Sequence, residues 1–211
     1  MGVGSLTDPV DQIFTEGINE VIVSTCDNAA PMGIIKKNDH LSMIVFRSSH
    51  TARNIIRDGW VVAHISHDPV LFVKTAFEDP DGDSFIKERI GDVTIHRLRG
   101  VQNWIVFAAS VEHSTAEKIF VHLEPIHAHI VPALPVPVHR GLNNIIEATV
   151  HATRFVLTTD PELAALIRHH GDLVMRCGGE PEKRAIRLLY SYVNTCVPGT
   201  FSEKIRQEIA S

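Results

Sequence analysis

The stretch FRSSHTARNI, residues 46–55, sets Arg47, Ser48, Ser49, His50, Thr51 and Asn54 at the junction of two elements. LSMIVFR reads as a strand and TARNIIRDG as a short helix stopped by Gly59, so Ser48, Ser49 and Thr51 fall at the helix N-terminus. Free backbone N–H groups and the positive end of the helix dipole favour a phosphate there. The hydroxyls add donors, and Arg47 offers a bidentate fork. An ordinary helix cap is the competing reading, because Ser and Thr are common N-cap residues with or without a ligand. A second stretch, NAAPMGI at 28–34, follows the strand EVIVSTCD and reads as a turn bent at Pro31 and Gly33. Backbone amides exposed in such a turn, with the Asn28 side chain that both donates and accepts, suit a planar heterocycle such as an isoalloxazine. A simple Pro-Gly turn is the alternative.

Other residues invite chemistry more weakly. In HISHDPVLFVKTAF, Asp68-Pro69 reads as a turn, and Leu71, Phe72 and Phe77 either fill a core or wall a ring; core packing is the more ordinary role. His64 and His67 could face a site, with His67 and Asp68 as a proton-handling pair. Cys26 lies just before the NAAPMG stretch, where a small buried thiol is the more ordinary role. Of 13 histidines, His122, His127, His129 and His139 lie with Glu124 in one short segment. On a strand, His127 and His129 share a face, as do His122 and Glu124, which opens a metal-binding reading; no spacing matches a zinc signature, and a solvated or interface surface is the alternative.

The elements that must position these groups follow from texture. With 211 residues, 44% of them hydrophobic, the chain can bury a core. From Val21 to about Val131 the apolar runs are short and rich in Val and Ile, with polar or Gly- and Pro-containing turns between them, as in an antiparallel barrel or sandwich. PALPVPVHRG then ends strand pairing and marks a boundary, placing one domain at 1–138 and a helical subdomain at 139–211. Beyond it, Leu142, Ile145, Ile146, Thr149, Thr153 and Val156 form the stripe of an amphipathic helix. Thr159-Asp160-Pro161 reads as the next helix start, Gly178-Gly179 as its stop, and EPEKRAIRLLYSYV as a third helix.

Composition excludes some partners. A net charge of −5 lacks the basic footprint of nucleic-acid binding. No apolar run approaches the roughly 20 residues that span a bilayer, so a cytoplasmic location is expected. The three cysteines, with no Cys-x-x-Cys pair, are expected to be reduced thiols.

In this order and separation, the 28–34 and 46–55 stretches resemble the FMN-binding split-barrel superfamily of flavin reductases and pyridoxamine-phosphate-oxidase-like proteins. More narrowly, APMGI, TARNI, HDPVLFVKTAF and GLNNIIEATVHATR together are similar to a family catalogued as a domain of unknown function, found in archaea and some methylotrophic bacteria. The resemblance implies a mainly β fold with α, a six-stranded antiparallel split β-barrel carrying a C-terminal helical subdomain. It also implies a homodimer with FMN near the interface. Asn28, Ala30, Pro31, Met32 and Gly33 would lie at the flavin ring, and Arg47, Ser48, Ser49, Thr51 and Asn54 at its phosphate. Two functions follow. One is an FMN-dependent oxidoreductase taking electrons from a reduced nicotinamide or another donor, with no G-x-G-x-x-G nucleotide domain of its own. The other is a non-catalytic flavin- or pterin-binding module. The family's occurrence beside tetrahydromethanopterin genes implies a pterin-linked role.

Overall fold

The computed structural model describes residues 7–132 and 137–201. The chain divides into two compact units, Met1–Ser66 with Asp79–Leu134, and His67–Glu78 with Pro135–Ser211.

In the first unit, helix α1 (Thr7–Ile13) precedes β1 (Gly17–Ser24), β2 (Ala29–Lys37) and β3 (His40–Phe46). Helix α2 (His50–Asp58) and β4 (Trp60–Ile65) follow, and the unit ends with β7 (Asn103–Ser114) and β8 (Lys118–His129). These six strands close an antiparallel barrel, as the family resemblance implied, in the order β1-β2-β3-β8-β7-β4. Alternation along the strands sends Val21, Val23, Ile34, Met43, Val45, Ala63, Ile105, Phe107 and Val121 into one core. A hairpin of β5 (Phe85–Ile90) and β6 (Val93–Leu98) pairs only within itself. Its Ile95 packs with Trp60, Val62, Trp104 and Val106 in a second cluster. Because β4 contributes to both clusters, WVVAHI is apolar throughout instead of alternating with polar residues.

Residues 28–34 differ from the expected turn. The reversal occurs at 25–28, where Thr25 N–H donates to the Asn28 carbonyl at 3.0 Å, and Ala29 already pairs with Ser24. Pro31 is tolerated inside β2 because the ladder to β3 starts only at Ile34; over 29–33 the strand has β1 alone as its partner among the described residues.

The second unit is helical: α3 (Pro69–Phe77), α4 (Arg140–Thr158), α5 (Pro161–Cys177) and α6 (Glu180–Cys196). Apolar stripes from all four meet in a cluster that includes Val70, Val73, Ile145, Phe155, Ile167, Val174, Ile186 and Leu189. The expected C-terminal helices are therefore present, with Asp160 capping α5 by accepting from Glu162 N–H at 2.9 Å. Helix α3 was expected as a turn followed by an apolar stretch. Asp68 instead caps it, accepting from the N–H groups of Val70 (2.9 Å) and Leu71 (3.2 Å), with Pro69 in the first turn. Residues 67–78 thus join the helices, an excursion that a single boundary at 138/139 leaves out. Four residues of the proline-rich stretch, 133–136, lie outside the described residues. No described helix is long and apolar enough to cross a membrane.

Candidate functional site

The chain leaves β3 at Phe46 and enters α2 four residues later. Ser49 is the N-cap, with extended backbone (φ −73°, ψ 158°) and an Oγ that accepts from Ala52 N–H at 3.1 Å. The cap reading is thus correct for Ser49. The same geometry leaves Ser48 exposed, with no side-chain hydrogen bond among the described residues. Arg47 is exposed too; its N–H donates to the Glu117 carbonyl at 2.8 Å, and its guanidinium grazes the Thr115 carbonyl at 3.4 Å. His50 pairs with Asp79 at 3.2 Å. The helix N-terminus therefore presents a cation and a hydroxyl to solvent, and its own dipole adds positive potential there.

Asn28, Thr51 and Asn54 have a different place. They are buried, with Thr25, in one polar network. Asn28 Nδ2 donates to Thr51 Oγ1 at 2.9 Å, while Asn28 Oδ1 accepts from Thr25 Oγ1 and from Asn54 Nδ2, the latter at 3.1 Å. Asn54 Nδ2 also reaches Thr25 Oγ1 and Asp27 Oδ1, each at 2.8 Å. These side chains spend their hydrogen-bonding capacity on one another, which is what burial of amides and hydroxyls demands. The network fastens the 25–28 reversal to α2, so the two stretches singled out from sequence meet through it. Thr25 and Asp27 were missed. Their only sequence signal is a Thr-x-x-Asn spacing typical of turns, and it acquires meaning through a helix more than twenty residues away.

Ala30, Pro31, Met32 and Gly33 lie half-buried along β2, over the span without a ladder to β3. Gly33 has a local reason: a β-carbon there would stand 2.6 Å from Ile18 Cγ2 and 3.2 Å from Glu20 Oε1. The unit thus joins a strand edge with unladdered backbone to a cationic helix N-terminus, a pairing suited to a ligand with a planar polar ring at one end and an anion at the other.

Most of the remaining candidates have structural roles. His64 is fully buried; its Nε2 lies 2.9 Å from Ser24 Oγ and accepts from Leu98 N–H at 3.3 Å. Ser24 Oγ in turn donates to the His96 carbonyl at 2.6 Å, so this cluster ties β6 to β1 and β4. Burial first, then Arg97, pushes the His64 pKa down to about 3, and the ring stays neutral. His67 is exposed, and the Asp68 carboxylate caps α3. Phe72 is buried and Phe77 stacks on Tyr192 at 5.3 Å, both filling space. Cys26 is half-buried. His127 and His129 lie against Trp104, and His139 accepts from Leu142 N–H as the α4 cap. Among the described residues, His122 instead groups with His40 and Glu112.

Two family models match the chain. One, described as a protein of unknown function (DUF447) N-terminal domain, covers residues 19–132; the other, a protein of unknown function (DUF447), covers 139–191. Among solved structures, an FMN-bound protein from Methanosarcina mazei of the same family model is 35% identical, covers 88% of this chain and 100% of its own, and has a TM-score of 0.80. A putative flavin reductase with a split barrel domain from Shewanella frigidimarina is 15% identical, over 54% of this chain and 67% of its own, at a TM-score of 0.45. A flavin reductase domain protein from Arthrobacter is 13% identical, over 63% and 97%, at 0.44.

Proposed function

Given that this chain belongs to the DUF447 family, we propose that it is an FMN-binding flavoprotein and an oxidoreductase of flavin-reductase-like type. What carries this reading is the buried Thr25–Asn28–Thr51–Asn54 network, which sets the unladdered edge of β2 beside the N-terminus of α2. The relative from Methanosarcina mazei, bound to FMN, supports it.

The residues present fit the cofactor. Ser48 and Arg47 stand exposed at the helix N-terminus, where they and the free amides of the first turn would hold a phosphate. Ala30, Pro31, Met32 and Gly33 would flank the ring with backbone groups. Asn28, Thr51 and Asn54 act as positioning residues that keep these two halves in register. Bound FMN would supply the electron-transfer chemistry, while the protein orients it and shields it. A reduced nicotinamide as donor and a homodimeric assembly are part of the same proposal.

The test is to load the full chain with FMN, remove the unbound fraction and mix it anaerobically with NADH, NADPH or a tetrahydropterin. Bleaching of the visible flavin band by one of these is the expected result. Retained flavin inert to all three would contradict the oxidoreductase assignment and leave a flavin-binding module. No retained flavin would contradict the whole reading.

A further inference from the structure

We propose that Glu147, His151 and His170 form a binding site for a borderline divalent transition-metal ion, zinc(II) foremost, joining α4 to α5. Their ligand atoms already lie within 4.8 Å of one another. Tetrahedral zinc ligands at roughly 2.0–2.1 Å from the ion stand about 3.3 Å apart, so small side-chain rotations close the set.

The arrangement follows from the helices. Glu147 and His151 are four residues apart on α4 and share one face. His170 comes from α5, and its ring stacks on that of His151 at 5.5 Å with 24° between the planes. Asn144, one turn before Glu147, then fixes the proton on His170. Its Nδ2 donates to the Arg140 carbonyl at 2.7 Å, which turns Oδ1 toward His170 Nδ1 at 2.9 Å. An amide oxygen only accepts, so Nδ1 carries the hydrogen and Nε2 keeps the lone pair. An outer carboxamide that orients a ligating imidazole in this way is a common feature of metal sites.

His151 adds an independent sign. Its Nδ1 is buried and has no hydrogen-bond partner among the described residues, a state it shares with the Nδ1 atoms of His64 and His122. Two imidazole nitrogens and one carboxylate suit zinc, whereas calcium and magnesium prefer all-oxygen sets. Three protein ligands leave the fourth position to water. The group of His40, Glu112 and His122 is the natural comparison. Each group includes one exposed carboxylate, and Glu112 lies 3.7 Å from His40, but among the described residues no outer residue orients either ring there as Asn144 orients His170.

The experiment uses untagged full-length protein stripped with a chelator, equilibrated with zinc chloride and dialysed. Metal per chain is measured by elemental analysis, with thermal unfolding beside it. One zinc per chain and a raised melting temperature are expected. His151→Gln and His170→Gln should lose both effects while melting without zinc close to the unmodified protein. Asn144→Ala should weaken zinc binding by about tenfold or more, and His122→Gln should bind normally. No zinc retained by the unmodified protein, zinc retained equally by the His151 and His170 variants, or loss confined to the His122 variant would each overturn the assignment.

Discussion

Asn54 and Ser48 sit six residues apart and have opposite fates. Asn54 donates within the protein to Thr25, Asp27 and Asn28, whereas Ser48 faces solvent. Asn54→Ala should therefore cost about 1–3 kcal/mol of stability by stranding buried acceptors, and should weaken FMN binding as a consequence. Ser48→Ala should leave urea unfolding unchanged and weaken FMN binding alone. Equal stability losses in the two variants would contradict the division into positioning and contacting residues. His64 gives a pH signature. Its folded pKa of about 3 lies below the ordinary value of 6.5, so between the two the unfolded chain binds a proton that the folded chain refuses. Stability should fall as pH drops from 6.5 toward 3, with this one group contributing up to about 1.4 kcal/mol per pH unit. Unfolding free energies measured across that window should show a shallower slope in His64→Gln; identical slopes would mean that His64 is not held neutral. At this scale the sequence marked the positions better than their roles. A carboxamide looks alike whether it faces a ligand or a neighbour, so Asn28 and Asn54 were legible as special and their partner Thr25 was not.

Helices and strands were legible where their signals were local. The stripe of α4, the start and stop of α5 and the start of α6 were read at the right places, and the short apolar runs became five of the six barrel strands, β1, β3, β4, β7 and β8. β2 and α3 were read as turns because Pro31 and Pro69 look alike in sequence. An edge position made one a strand residue, and a first-turn position beside the Asp68 cap made the other a helix start. The packing of α5 on α6 gives the test at this scale. Gly171 lies under Tyr190, and a β-carbon there would overlap the phenol oxygen and stand 2.8 Å from Cζ. Gly171→Ala would normally gain about 1 kcal/mol in a helix interior. Here overpacking should dominate and cost about 1–3 kcal/mol. The cost should shrink in a Tyr190→Phe background, which removes the overlapping oxygen; thermal melts of the two singles and the double variant form the cycle that checks it.

For the molecule as a whole, the proposed FMN site and the proposed metal site fall in separate units. Each has its own hydrophobic cluster. The residues assigned to FMN all belong to the barrel unit, and the Glu147, His151 and His170 cluster belongs to the helical one. The net charge of −5 argues against polyanion binding, but binding of a single phosphate depends on local potential, and at the α2 N-terminus that potential comes from Arg47 and the helix dipole. The most direct measurement is a side-by-side titration of the full chain with FMN and riboflavin, followed by the change in flavin fluorescence. FMN should bind at least about tenfold more tightly, roughly 1.4 kcal/mol, with the advantage shrinking in Arg47→Ala. Equal affinity for the two flavins, or binding of neither, would contradict the account.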